Sequence, residues 1–228
     1  MHIPDGWVDP AFLLITWIIV LVIIAVSLYK LREHDPTRIA YMAVLGGTIF
    51  ATQMLNFPIL GGTSGHVLGG ALAAVIVGPW GAVLVMTVVL LIQALLFADG
   101  GVIALGPNIF NMGVVGVFVG YIVLRYLMLN ATPEENKVRY YGGVFIGAFL
   151  SVVVASFFAA IEIGVPILVS PSAIPLIVAL PTILLYHILI GIGEGIISTV
   201  IVLYFNYIEM DVFIEIEKPS LQLPGTQR

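Results

Sequence analysis

Long apolar runs separated by short polar or glycine- and proline-containing breaks dominate this chain. The hydrocarbon core of a membrane is about 30 Å thick, and a helix needs roughly 20 apolar residues to cross it. The runs therefore predict an all-α, polytopic membrane bundle of about seven helices. These cover Pro10 to Leu31, Ile39 to Phe57, His66 to Gly78, Gly81 to Ala98, Asn108 to Leu129, Tyr141 to Gly164, and Ile174 to about Phe205.

One apolar stretch, from His66 to Ala98, is too long for a single ordinary span. The sequence Gly78-Pro79-Trp80-Gly81 interrupts it, and adjacent glycine and proline signal a turn. The first of the two resulting helices, His66 to Gly78, is only about 20 Å long at 1.5 Å per residue and cannot cross a membrane alone. We therefore expect the glycine-rich loop before it to enter the bundle and to carry His66 inward.

The basic residues indicate the orientation of the bundle. Cytoplasmic loops of membrane proteins are enriched in Lys and Arg. With the N-terminus outside and a break at Pro79, all eight Lys and Arg residues fall on the inner side. Without that break, Arg125, Lys137 and Arg139 would face outward. We therefore expect an outer N-terminus and a cytoplasmic C-terminus.

Composition agrees with a multi-pass protein of the cell (plasma or inner) membrane. Apolar residues make up 61% of the chain and charged residues 9%, whereas soluble domains average about 25% charged residues. We expect one transmembrane domain over residues 1–206 and a cytoplasmic tail over 207–228. A secretory signal has basic residues before its apolar run, whereas here Asp5 and Asp9 precede the first span. Met1 is therefore expected to stay in the mature protein.

The first two residues can chelate a metal ion. The Met1 amine and the deprotonated backbone nitrogen of His2 close one chelate ring, and that nitrogen with His2 Nδ1 closes a second. Three nitrogens then lie in one plane, an arrangement that suits Ni(II), Cu(II) and, less strictly, Co(II). The chain has no cysteine, so a thiolate site is excluded. The alternative is that a Met-His start is a coincidence.

His66 is expected on the same side of the bundle and can supply the fourth nitrogen of a square-planar site. Its alternative role is that of a polar residue capping the short helix. His34 lies in a charged inner loop, where we expect it to be solvated.

Other polar residues are expected near the outer ends of the helices. The acids there can attract cations, or they can reflect only the bias of basic residues to the inside. The amides can orient ligands and loops, or they can join helices. The acids are Asp5, Asp9, Asp99 and Glu162, and the amides are Gln53, Asn56, Gln93, Asn108 and Asn111.

His187 and Glu194 fall on one face of the last helix. Ionisable residues within a span are functional candidates, so the two can form a second, inner ion site or relay. The alternative is a structural hydrogen-bonded pair.

Several motifs are absent from the sequence. It contains no GxxxxGK[ST] phosphate loop, no HExxH and no recognisable Ser–His nucleophile. The chain is therefore not expected to be an enzyme or to hydrolyse ATP. Energy for active transport must come from a partner or from an ion gradient.

Four segments together resemble the CbiM/NikM family, the substrate-capture components of energy-coupling-factor transporters for cobalt and nickel. They are MHIPDG at 1–6, GTSGHVLGG at 62–70, QALLFADGG at 93–101 and NIFNMG at 108–113. The likeness runs from Met1 through the last span, and His187 and Glu194 also fit it. Pro107, where the family usually has Ala, and the tail after Phe205 depart from the pattern.

The resemblance implies that Co²⁺ or Ni²⁺ is transported, with the Met1 amine, the His2 amide and imidazole nitrogens and the His66 imidazole as ligands. The loop with Asp99 and the segment around Asn108 and Asn111 would enclose the site. The implied partners are a transmembrane coupling subunit, ABC-type ATPase subunits and often a small accessory membrane protein. Neither a resident cofactor nor a nucleic acid is expected.

Two other functions are open to the sequence. A stand-alone or ion-gradient-driven metal permease would use His187 and Glu194 as a proton-coupled pair. An intramembrane metalloenzyme would need an open metal position for water, which four protein nitrogens in one plane do not leave. Pro4-Asp5 leans toward nickel-type members, but the ligands do not decide between nickel and cobalt.

Overall fold

The computed structural model describes residues 1–32, 36–59, 63–128, 135–168 and 174–208. His34 and most of the predicted tail, from 209 onward, lie outside these residues. The elements are α1 (Pro10–Leu31), α2 (Pro36–Gln53), β1 (Phe57–Ile59), β2 (Thr63–Gly65), α3 (Gly70–Leu96), α4 (Leu105–Asn108), a π-helical turn (Ile109–Val115), α5 (Gly116–Met128), α6 (Lys137–Gly164) and α7 (Leu176–Tyr207).

Within the described residues, five helical stretches are long and apolar enough to cross a membrane. They are α1, α3, the continuous stretch Leu105–Leu127, α6 and α7. Large apolar side chains such as Leu14, Ile18 and Leu21 on α1 are more than half exposed, as expected where lipid is the solvent. The prediction of a helical, multi-pass membrane protein is therefore confirmed.

The predicted interruption near Pro79 is confirmed. Gly78 leaves the helical conformation with φ +73° and ψ 162°, and α3 is kinked there. The kink frees the Val77 carbonyl, which accepts a hydrogen bond of 2.7 Å from Arg38 Nη2 at the start of α2. A cation thus satisfies a backbone group that the broken helix leaves unpaired.

The two ends of this broken stretch meet again. His66, which precedes α3, and Asp99, which follows it, both contact His2. The kink between them lies instead beside Arg38. Since the second arm of α3, from Pro79 to Leu96, is about 27 Å long at 1.5 Å per residue, the chain runs away from the N-terminus and then returns to it.

The prediction that a helix begins at His66 is wrong, because α3 begins at Gly70. Gly69 has a left-handed φ of +77°, and a Cβ there would lie 2.9 Å from the side chain of Ile49. The Leu68 and Gly69 amides donate to the Glu194 carboxylate instead of continuing a helix. The residues before α3 also form a short antiparallel hairpin of β1 and β2 that the sequence did not predict.

Small residues allow close packing of the second half of the bundle. α6 packs on both α5 and α7. A Cβ on Gly147 would lie 2.9 Å from the Gly120 carbonyl oxygen of α5, and a Cβ on Gly195 of α7 would lie 2.7 Å from Phe145 of α6. Glycine at such contacts lets helix backbones approach where lipid offers no hydrophobic driving force.

Candidate metal centre

The first three residues are buried inside the bundle. Met1 and Ile3 are 1% and 0% exposed. The Asn108 side chain accepts from the Ile3 amide at 2.8 Å and donates to the Ile3 carbonyl at 3.0 Å, so it pairs with the backbone as a neighbouring strand would. The same carbonyl accepts from the Gly101 amide at 2.9 Å. The N-terminal backbone is therefore fixed by the segment that follows α3.

Three nitrogens of the N-terminus converge on one atom, the hydroxyl oxygen of Ser64. Ser64 Oγ lies 3.1 Å from the Met1 amine, 3.2 Å from the His2 backbone nitrogen and 3.2 Å from His2 Nδ1. The Met1 amine also donates to the Ser64 carbonyl oxygen. These are the three nitrogens of the predicted chelate. Because metal–nitrogen bonds are about 2 Å long, an ion bound by all three would displace the hydroxyl.

The contacts of the His2 ring fix which of its nitrogens has a free lone pair. Nε2 lies 3.1 Å from Gln93 Oε1, an oxygen that can only accept. In the neutral ring this contact favours a proton on Nε2 and a lone pair on Nδ1. Nδ1 lies 3.2 Å from Asp99 Oδ1, so a lone pair and a carboxylate oxygen face each other. A cation at this position would interact favourably with both.

His66 presents a nitrogen that has no hydrogen-bond partner. Its Nδ1 donates to the Val67 carbonyl at 2.8 Å, so Nε2 carries the lone pair, and Nε2 is buried without a partner. Metal-binding histidines commonly donate their other ring N–H to a carbonyl in this way. The His66 and His2 rings stack with centroids 4.6 Å apart and an interplanar angle of 25°.

Burial keeps the Met1 amine and the His2 and His66 rings in their neutral forms. It lowers the pKa of the Met1 amine from 8.0 to about 4, although the nearby Asp99 carboxylate opposes the shift. Burial also lowers the pKa of His2 and, more strongly, that of His66. For Asp99, burial alone would raise the pKa, but the adjacent His2 ring and terminal amine, in their protonated forms, outweigh this and lower it. At neutral pH the Met1 amine and both imidazole rings therefore have a free lone pair, and the Asp99 carboxylate is charged.

Two further predicted residues support the site through the loops around it. Asn56 donates to Asp99 Oδ2 at 2.6 Å, so it orients that carboxylate. Asp5 accepts from the Val102 and Ala104 amides at 3.1 and 2.9 Å. Asp5 therefore holds the loop after α3 against the N-terminus.

The structure places the remaining candidates elsewhere. Asn111 donates to Glu162 at 2.6 Å. The alternative of a hydrogen-bonded pair between His187 and Glu194 is wrong, because His187 Nδ1 donates to the Ile183 carbonyl and the Glu194 carboxylate accepts from the backbone of the His66 segment. Gln53 donates to the Leu68 carbonyl in that segment.

Sequence reasoning did not identify Ser64. Its hydroxyl lies among the three nitrogens because the hairpin of β1 and β2 folds back over Met1, and that hairpin left no signal in the sequence. Among the described residues, no group of three or more His, Cys, Asp or Glu side chains can hold a metal ion.

Comparison with known proteins agrees with a metal-transport role. Residues 2–212 match the family described as "CbiM: Cobalt uptake substrate-specific transmembrane region". A putative fused nickel transport protein, NikMN, of Archaeoglobus fulgidus is 41% identical over 212 residues, which are 93% of this chain and 68% of that protein. The cobalt transport protein CbiM of Chlorobium limicola is 31% identical over 204 residues, 88% of this chain and 79% of that one.

A solved structure is also similar. The crystal structure of a truncated transition metal transporter superimposes with a TM-score of 0.82 at 34% identity and covers 92% of this chain and 99% of its own.

Proposed function

Because this chain belongs to the CbiM family of cobalt uptake transmembrane proteins, we propose that it captures Co²⁺ or Ni²⁺ from outside the cell through the nitrogens of Met1, His2 and His66. The Met1 amine, the deprotonated His2 amide nitrogen and His2 Nδ1 form the three-nitrogen chelate, and His66 Nε2 completes it. The ion is the transported substrate. Asp99 faces the same position and balances part of its charge.

The convergence of three nitrogens on Ser64 Oγ carries this proposal. Because the chelating backbone is already folded and buried, little conformational freedom is lost when the ion binds. His66 Nε2 supports the same conclusion, since a buried nitrogen without a partner is costly unless a ligand satisfies it. Binding requires His66 to exchange its stacking contact with His2 for a shared metal ion.

The contacts around α3 support the proposed orientation and span count. Arg38, a basic residue expected on the inner side, lies at the kink of α3, and the metal centre lies at the other ends of both α3 arms. Treating the two arms as separate crossings, together with α2, gives seven helices with the N-terminus outside. This assignment also accords with the distribution of basic residues.

We assign the driving force to partner subunits. No nucleotide-binding motif is present in the sequence, and His187 and Glu194 bond to other groups rather than to each other. The proposed partners are a transmembrane coupling subunit and ABC-type ATPases, with a small accessory membrane protein in some assemblies.

Two variants of the purified, untagged protein test the ligands. In His66→Ala, the fourth nitrogen is lost, and Ni²⁺ affinity is expected to fall by about 10- to 100-fold or more. With two alanines added before Met1, His2 moves to position four, where its ring cannot complete the chelate with the terminal amine, and the buried N-terminus no longer fits. A competition assay with a chromophoric chelator measures both affinities.

Gly142→Ala serves as a control, because a Cβ at Gly142 meets no atom within 4 Å. It should bind Ni²⁺ as the wild type does. If the extended protein or His66→Ala binds Ni²⁺ as tightly as the wild type, the ligand assignment is wrong.

A further inference from the structure

The peptide groups just after His66 are held from two helices that are remote in sequence. Glu194 on α7 accepts from the Leu68 amide at 2.8 Å and from the Gly69 amide at 2.6 Å. Gln53, at the end of α2, donates to the Leu68 carbonyl at 2.6 Å. Glu194 and Gln53 are both buried. The segment that carries His66 is thus fixed on one side by α7 and on the other by α2.

This attachment joins α7 to the segment that carries His66, and α7 also packs on β2. α2 packs on α3 rather than on α7, and a crevice separates α2 from α7. It is lined by Thr48 and Thr52 of α2, by Ser198 and Ile201 of α7, and by residues 67–69. The Glu194 hydrogen bonds join α7 to the residues just before α3.

A buried carboxylate in a membrane-spanning helix is costly and usually has a functional role. Its two amide partners are consecutive, and the left-handed Gly69 points them toward one acceptor. Capping of α3 alone explains the amide contacts, because the first amides of a helix need acceptors. It does not explain why the acceptor comes from α7.

We propose that Glu194 is a positioning residue for metal capture: it holds the Leu68 and Gly69 amides, fixes His66 beside His2 and makes ligation by His66 depend on the position of α7. This inference rests on the proposed function. A displacement of α7 away from α2 withdraws His66 from the ion and leaves only the three-nitrogen chelate. The partner subunits can therefore weaken binding by moving α7 without touching the metal.

Glu194→Gln tests this role. Glutamine keeps the size of the side chain, but its NH₂ group opposes one of the two amides, so the segment is released. In the full-length, untagged protein in lipid nanodiscs, Ni²⁺ affinity should fall by about 10- to 100-fold, and the visible absorption of bound Ni²⁺ should shift toward that of His66→Ala. Ser198→Ala, one turn away in the same crevice, is the matched control and should keep the wild-type spectrum.

A double-mutant cycle separates positioning from a general effect on folding. If Glu194 acts only through His66, adding Glu194→Gln to His66→Ala should cost no further affinity. Equal losses in both backgrounds, or wild-type affinity and spectrum in Glu194→Gln alone, would overturn this inference while leaving the ligands of the proposed function intact. If wild type and His66→Ala bind Ni²⁺ equally well, His66 is not a ligand, and both the proposed ligand set and this inference are wrong.

Gln53→Leu provides a second route if Glu194→Gln does not fold. It removes the hydrogen bond to the Leu68 carbonyl from the opposite side of the same segment. The expected result is again weaker Ni²⁺ binding with a spectrum like that of His66→Ala. Unchanged affinity and spectrum in Gln53→Leu would count against a held His66 segment.

Discussion

The Met1 amine differs in its protonation state from the amine of an ordinary exposed N-terminus. An exposed amine is largely protonated at neutral pH and must lose that proton before it binds a metal. Here burial lowers the pKa of the amine to about 4, and it lowers the pKa of both nearby histidines as well. The folded protein has therefore already removed the protons that would compete for these nitrogens.

This protonation state predicts the number of protons released when Ni²⁺ binds. Near pH 7 only the His2 amide should lose a proton on binding, so affinity should rise about tenfold per pH unit there. If the amine kept its ordinary pKa of 8.0, it would lose a second proton and the slope would be twice as steep. Calorimetry in buffers with different ionisation enthalpies measures the release, and about two protons per ion would contradict the buried, neutral amine.

At the scale of elements, the loop after α3 holds the N-terminal segment in place. Gly101 donates to the Ile3 carbonyl, and the adjacent loop amides are held by Asp5. The metal centre is therefore built where three separate segments meet: the N-terminus, the hairpin before His66 and this loop.

Gly101→Ala should disrupt this meeting point. A Cβ on Gly101 would overlap the backbone and side chain of Asp5, so the N-terminal segment must shift. We expect Ni²⁺ affinity to fall by about tenfold or more, while the helical circular dichroism stays unchanged. Gly193→Ala, where a Cβ meets no atom within 4 Å, is the control. Wild-type affinity in Gly101→Ala would show that the loop does not hold the ligands.

The sequence predicts some of these elements and not others, for physical reasons. Apolar length predicts the helices, and the Gly78-Pro79 dipeptide predicts the kink because proline and a left-handed glycine both interrupt a helix. The sequence predicts the start of α3 four residues too early, at His66. The reasons are that Gly69 is left-handed and that the distant Glu194 accepts from the Leu68 and Gly69 amides. The approach of Ser64 to the amine depends on the hairpin, whose two strands of three residues each are too short to give an alternating pattern.

At the scale of the whole molecule, the opposite ends of the bundle have different chemistry. Asn56, Asp99 and the buried N-terminus lie at one end, whereas Arg38 lies at the other, beside the α3 kink. In the proposed orientation, the buried metal centre lies at the outer end of the bundle, and the basic residues lie at the inner end, as the positive-inside rule expects.

Cysteine labelling can test that orientation directly, because the chain has no cysteine of its own. Leu55, 80% exposed, follows α2 at the metal-centre end, and Val138, 86% exposed, is the second residue of α6. A membrane-impermeant maleimide applied to intact cells should label Leu55→Cys and should label Val138→Cys only after permeabilisation. The reverse pattern would place the N-terminus inside.

The hydrogen bonds between Ile3 and Asn108 also have a consequence for biosynthesis. The two residues are 105 positions apart, so the N-terminal segment cannot be enclosed until Asn108 has been synthesised. At translation rates of about 5–20 residues per second, that interval is roughly 5 to 20 s. During this time the terminal amine is open to any enzyme that trims or acylates free N-termini. Once enclosed it is protected, so a single early modification would leave a molecule that completes its fold without a working metal site.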